Sequence, residues 1–209
     1  MSHFLKIVLA SQSPARAEVL KQVHLPFTTI PSKIDENDYE EEFSADPKKY
    51  VLHISQKKAY TVASRLQDEK KSFIIIGCDT VVIDPSCTII GKPKDRDNAK
   101  IMLQSLSGKS HTVLTGCTIL IHPNKVKYQT VVSTLVKFRD VSKEEIHYYL
   151  EKGEWQNRAG SYAIQGLGAF LISDIQGDYF NVVGLPISWI WQTLWDHYGK
   201  VLLLLKEEK

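Results

Sequence analysis

Residues 73–90 read Phe73-Ile74-Ile75-Ile76-Gly77-Cys78-Asp79-Thr80-Val81-Val82-Ile83-Asp84-Pro85-Ser86-Cys87-Thr88-Ile89-Ile90, and they decide the fold. Phe73 to Gly77 is an unbroken apolar run, β-branched at its centre, as expected of a strand covered on both faces. Such strands belong to sheets with helices on either side. Asp84-Pro85-Ser86 is then a turn signal, and the chain returns through Thr88 to Ile90 as a hairpin. A doubly covered strand followed by a hairpin implies an α/β fold with a mixed sheet rather than a purely parallel one.

Working outward, Lys6 to Ala10 reads as a short buried strand and Pro14 to Val23 as a helix. Asp46-Pro47 opens a long helix as N-cap and first helical residue. Ala99, Met102, Leu103 and Leu106 recur at helical spacing, so Asp95 to Ser107 is an amphipathic helix stopped by Gly108. His111 to Ile121 and Tyr128 to Phe138 form two long strands around His122-Pro123-Asn124-Lys125. Ser142 and Glu145 make a capping box for a helix ending at Gly153. Ala159 to Gly184 is glycine-rich. The last helix starts at Pro186, with Ile187, Ile190, Trp191 and Leu194 on one face, while Val201 to Leu205 reads equally as strand or helix.

The chain has 209 residues, 43% hydrophobic and 24% charged, which excludes a mostly disordered polypeptide. One domain spanning 1–209 can bury about 70% of its unfolded surface and needs no staple. Twenty-six basic against 24 acidic residues argue against a nucleic-acid binder. No apolar run reaches the ~20 residues of a membrane span, and the N-terminal stretch is too short for a secretory signal. Cys78, Cys87 and Cys117 are odd in number and lack CxxC spacing, so reduced thiols in a cytoplasmic protein are expected.

Three places break local rules. Ser11-Gln12-Ser13-Pro14-Ala15-Arg16 is a strand-to-helix turn whose free N–H groups suit a phosphate. Arg16 stands in that first turn against the helix dipole, so it either reaches solvent or meets a polyanion. Lys58 falls inside the apolar arc of Val51, Ile54, Ala59, Val62 and Leu66, whereas Lys57 lies outside it. A lysine there either snorkels out or meets an anion. Asp79 stands at the end of Phe73 to Cys78, either closing the strand or serving as a base or metal ligand in the crevice. With Gly91-Lys92-Pro93, these features suggest a nucleotide polyphosphate with a divalent cation.

At these residues the chain resembles the Maf family of nucleoside triphosphate pyrophosphatases, also known as septum-formation-inhibitor-like proteins. The matching stretches are Leu9 to Leu20 (LASQSPARAEVL), Lys58-Ala59, Gly77 to Val82 (GCDTVV), Gly91 to Pro93 (GKP) and Leu106 to Gly116 (LSGKSHTVLTG). Glu154 to Gly166, with AGSYAIQG at its core, and Gly177 to Pro186 (GDYFNVVGLP) complete the set in family order. The resemblance implies an elongated mixed sheet with flanking helices, two lobes around a cleft, of the inosine-triphosphate-pyrophosphatase type. It also implies hydrolysis of a nucleoside triphosphate to monophosphate and pyrophosphate with Mg or Mn, in a homodimer.

By the same resemblance, Asp79 is the proton acceptor that activates water. Ser11, Ser13 and Arg16 form the phosphate loop, and Lys58 and Lys92 contact phosphates. Glu36 is a carboxylate that binds metal with Asp79 or orients water. Ala15, Thr80 and Gln165 track base preference. Thr80 and Gln165, within the DT and IQG segments, resemble the subgroup acting on dTTP and UTP, and an amide can offer a pyrimidine one donor and one acceptor. Ala15 departs from the arginine of that subgroup and from the aromatic residue of the 7-methyl-GTP subgroup. The competing class is a nucleotide-binding regulator of septum formation that does not turn substrate over.

Overall fold

The computed structural model describes residues 5–35, 46–66, 72–124 and 126–202. Glu36 and the rest of the acidic run to Glu42 lie outside the described residues, as do Val201 to Leu205 beyond Leu202. The expected mixed sheet is present. Among the described residues it has seven strands: β1 (Lys6–Leu9), β2 (Thr28–Thr29), β3 (Phe73–Ile83), β4 (Ile89–Ile90), β5 (Ser110–His122), β6 (Val126–Phe138) and β7 (Ile172–Gln176). Their order is β2-β1-β3-β5-β6-β7, with β4 on β3. β1 is parallel to β2 and β3, whereas β4 and β7 run antiparallel to β3 and β6.

The helices are α1 (Pro14–Gln22), α2 (Pro47–Arg65), α3 (Arg96–Leu106), α4 (Lys143–Glu151), α5 (Tyr179–Val183) and α6 (Ile187–Leu202). Their starts follow the cap chemistry. Ser13, Asp46, Asp95 and Ser142 each accept from a backbone N–H in the first turn, and Ser142 with Glu145 closes a full capping box. At the hairpin, Asp84 Oδ1 accepts from the backbone N–H of Ser86 and Thr88, both at 2.9 Å.

The chain divides into two compact units, one of Met1–Asp79, Thr115–Val132 and Gly184–Lys209, the other of Thr80–Leu114 and Ser133–Val183. The first holds an apolar cluster of Val8, Ala10, Ala59, Val62, Phe73, Ile75 and Leu120 between α2 and the sheet. The second is built around Val82, Leu103, Leu106, Val136, Phe138 and Tyr149.

Three sequence expectations change. β3 does not stop at Cys78 but continues to Ile83, so Asp79 is an internal strand residue. Its position beyond a strand end is real only with respect to the parallel neighbour, since β1 pairs with β3 as far as Leu9 opposite Ile76. Trp191 is 43% exposed rather than buried with Ile187, Ile190 and Leu194. It stacks on Trp195, one helical turn on, at 5.7 Å between ring centroids. The glycine-rich stretch Ala159 to Gly184 is also more regular than its composition suggests. It carries 3-10 turns at Ala159–Ser161 and Gly166–Leu171 followed by β7 and α5.

Candidate active site

α2 lies unusually close to the sheet because two strand residues there lack a side chain. A Cβ on Gly77 of β3 would stand 2.3 Å from the Ser55 carbonyl oxygen, and one on Gly116 of β5 would stand 2.2 Å from that of Val51. The helix backbone thus rests directly on the strands. This approach brings the inward arc of α2 onto β3, and Lys58, on that arc, is only 6% exposed. Its ammonium donates to Asp79 Oδ1 at 2.7 Å and to the Cys78 carbonyl at 3.3 Å. Lys58 therefore meets an anion within the protein instead of snorkelling. Lys57 is half-buried, outside the arc. Ser55 Oγ, one turn before Lys58, lies 2.9 Å from Thr118 Oγ1 of β5 and ties the same helix turn to the sheet.

The turn after β1 is equally well defined. The Ala10 N–H donates to the Ile76 carbonyl at 2.8 Å, carrying the β1–β3 pairing up to Ser11. Ser11 Oγ accepts from the Ser13 N–H at 3.1 Å, and Ser13 Oγ accepts from the Arg16 N–H at 3.4 Å. Arg16 neither reaches solvent nor leaves the helix start. Its side chain is buried, with Nη1 donating to Ser11 Oγ at 3.1 Å and Nε to the Gly184 carbonyl at 2.7 Å. The acceptor comes from the Gly177–Pro186 stretch, which the sequence reading singled out without a role. Ala15 is half-buried beside it in α1.

The two clusters meet around Cys78. Burial raises the pKa of its thiol, and the Cys117 thiol 3.4 Å away, together with the charges of Arg16 and Lys58, outweighs that rise. Ser11, Ser13, Arg16, Lys58 and Asp79 are thus gathered in one unit, with Ser11, Arg16, Lys58 and Asp79 buried.

Thr80, Lys92 and Gln165 belong to the second unit. Thr80 is half-buried in β3, and Lys92 is exposed two residues after β4. The loop bearing Lys92 is held by the Gly160 N–H, which donates to the Gly91 carbonyl at 3.1 Å. Gln165 precedes the 3-10 turn Gly166–Leu171 without capping it by its side chain. Glu154, quoted in the sequence only as the first residue of a motif, supplies acceptors for that turn.

Among the described residues no three or more His, Cys, Asp or Glu side chains gather as a metal site. Nor is any helix of the described residues long and apolar enough to cross a membrane. Asp79 fits as one ligand of a hard cation, since Mg²⁺ commonly takes one or two carboxylates and completes its shell with phosphate oxygens and water. The proposed second carboxylate, Glu36, lies outside the described residues.

Comparison with known proteins finds relatives along most of the chain. A dTTP/UTP pyrophosphatase of Thermoanaerobacter sp. (strain X514) is 46% identical over 193 residues, covering 91% of this chain and 95% of that protein. The dTTP/UTP pyrophosphatase of Thermosipho africanus (strain TCF52B) is 45% identical over 193 residues, covering 92% and 93%. That of Clostridioides difficile (strain 630) is 41% identical over 184 residues, covering 88% and 91%. Among solved structures, a nucleoside-triphosphatase, dITP/XTP pyrophosphatase, from Mycobacterium abscessus is 12% identical, covers 66% of this chain and 76% of its own, and has a TM-score of 0.34. The family model described as Maf-like protein matches residues 6–197, and the chain belongs to that family.

Proposed function

We propose that the chain is a nucleoside triphosphate pyrophosphatase acting on dTTP and UTP, which releases the nucleoside monophosphate and pyrophosphate. The observation that carries this reading is the buried Lys58–Asp79 pair, 2.7 Å apart, in the same unit as the Ser11–Ser13–Arg16 turn. A carboxylate held by a lysine next to an anion-seeking helix start suits attack of water on a phosphorus atom. The names of the relatives supply the substrate class.

In this mechanism the helix start and Arg16 receive the phosphate chain. Asp79 accepts a proton from water as its oxygen bonds to the α phosphorus, and the bond from that phosphorus to the bridging oxygen of the β phosphate breaks. Pyrophosphate leaves with the bonding electrons. Lys58 pins one oxygen of Asp79 and so directs the other. Lys92 stabilises charge on the phosphates. The divalent cation, Mg or Mn, would be held by Asp79 and Glu36, and when bound it polarises the phosphorus and offsets the triphosphate charge. Thr80 and Gln165 read the base, in a cytoplasmic homodimer of single-domain chains.

The test is incubation with a panel of nucleoside triphosphates plus Mg²⁺ or Mn²⁺, with both products identified. Pyrophosphate with UMP or dTMP supports the reading. Orthophosphate release makes the protein a general phosphatase, and nucleotide binding without products makes it a binding regulator. A preference for 7-methyl-GTP moves it to the other subgroup.

A further inference from the structure

The 3-10 turn Gly166–Leu171 begins with backbone N–H groups that have no partner inside the turn, and the residue placed to cap it is Gln165. Its side chain does not do so. The acceptor comes instead from Glu154, thirteen residues before Leu167, in the turn that follows α4. The Leu167 N–H donates to both carboxylate oxygens, at 2.9 and 3.2 Å, and the Gly168 N–H donates to Oε2 at 3.4 Å. Bonds to an ionised acceptor are roughly twice as strong as neutral ones, so this is a firm anchor.

The fit around the carboxylate is tight. Gly166 has φ +73°, and a Cβ there would stand 2.8 Å from Glu154 Oε1. Gly168 is pressed on the other side, where a Cβ would lie 1.9 Å from the Ala163 carbonyl oxygen. Gln165 therefore sits between a backbone contact at Ala163 and a carboxylate clamp at Leu167. The Glu154 end is itself fixed, because the neighbouring Trp155 Nε1 donates to the Leu150 carbonyl at 3.0 Å at the close of α4.

We propose that Glu154 is a positioning residue for base selection. By capping the turn from a distance it relieves Gln165 of that duty and holds the direction in which the Gln165 amide is presented to a pyrimidine. The proposal rests on the reading of Gln165 as the base-reading amide. A side-chain amide tells uracil from cytosine only if its donor and acceptor keep one orientation, since cytosine needs the reverse.

The experiment measures kcat and KM for UTP and CTP in the full-length wild type, Glu154→Ala, Glu154→Gln and Gln165→Ala. Dissociation constants for α,β-imido UTP and CTP are measured by calorimetry alongside. Glu154→Ala is expected to lower the UTP-over-CTP ratio of kcat/KM by about 10-fold, mainly through KM for UTP, and the ratio of dissociation constants moves with it. Glu154→Gln keeps an acceptor oxygen and recovers part of the ratio. A purely structural role would instead lower the melting temperature and the rates on both nucleotides together, leaving the ratio at its wild-type value. That result, with Gln165→Ala still collapsing the ratio, overturns the proposal. An unchanged ratio in Gln165→Ala removes the base-reading role of Gln165, and the proposal with it. Should Glu154→Ala not fold, Glu154→Gln carries the comparison with a smaller fall in the ratio, and a lowered melting temperature there with the ratio unaltered overturns the proposal.

Discussion

The Lys58 ammonium stands 2.7 Å from Asp79 Oδ1, with both side chains only 7% exposed. Two residues 21 apart in sequence, one on a helix and one on a strand, thereby share one buried ion pair. Burying two charges is costly unless each has its partner, so the pair is both a structural and a chemical commitment.

Asp79→Asn keeps the size and the hydrogen-bonding capacity of the side chain but removes the basic oxygen. We expect turnover of UTP to fall by a factor of about 10² to 10⁴ while α,β-imido UTP still binds. Retention of more than about a tenth of the activity would remove Asp79 as the proton acceptor.

Lys58→Ala leaves the Asp79 carboxylate buried without its partner, and such losses cost about 3–5 kcal/mol. The urea midpoint and the activity should both drop, whereas Lys57→Ala changes neither appreciably. The double variant Lys58→Met, Asp79→Leu should regain stability, because apolar replacement of both members of a pair is tolerated, yet remain inactive. Equal effects from the two single lysine variants would refute the argument from helical phase.

Gly77→Ala and Gly116→Ala place a methyl group against the α2 backbone and should each destabilise by about 2 kcal/mol or more. Gly91→Ala is the control, because nothing lies within 4 Å of a Cβ there. Its urea midpoint should correspond to a change within about 0.5 kcal/mol. If all three behaved alike, the close approach of α2 would not be what those glycines serve.

Burial pulls the His111 imidazole down to a pKa of about 4. Its Nε2 lies 2.8 Å from the Tyr162 hydroxyl, among the rings of Phe138 and Tyr162. The unfolded chain titrates near 6.5 and so takes up this proton first as pH falls. Stability from the neutral imidazole is complete above about pH 6.5 and is lost progressively toward pH 4, amounting to about 3 kcal/mol. Urea midpoints between pH 7 and 4 should converge for wild type and His111→Gln as pH falls. Parallel curves would contradict it.

Ala15→Arg should sharpen the preference for dTTP and UTP, since it adds a cation beside the turn of Ser11, Ser13 and Arg16. Relative kcat/KM across the four common ribonucleotides and dTTP measures this. An unaltered ranking would show that position 15 does not act on base choice.

Much of this was legible from residue pattern because the signals are local. A capping serine and glutamate three apart, or apolar residues every three to four, act through neighbouring backbone, and α2 to α4 begin where those signals stand. Lys58 illustrates the limit. Its angle on α2 follows from sequence, but its partner does not, because nothing in α2 says which strand residue faces it. Asp79 looked like a strand end because an aspartate is a poor strand residue, and tertiary pairing with lysine overrides that preference. Glu154 and the Gly184 carbonyl were invisible for a further reason. Backbone groups carry no residue-type signal, so a bond to one of them leaves no mark in the composition.

The bond from Arg16 Nε to the Gly184 carbonyl joins residues 168 apart. A growing chain emerges in order, so Arg16 waits for 168 further residues before this acceptor exists. At ordinary translation rates that interval is about 10 to 30 s. During it the Arg16 guanidinium has Ser11 at hand but not the Gly184 carbonyl. The turn between β1 and α1 thus takes its final form only after residue 184 has been made, long after its own residues.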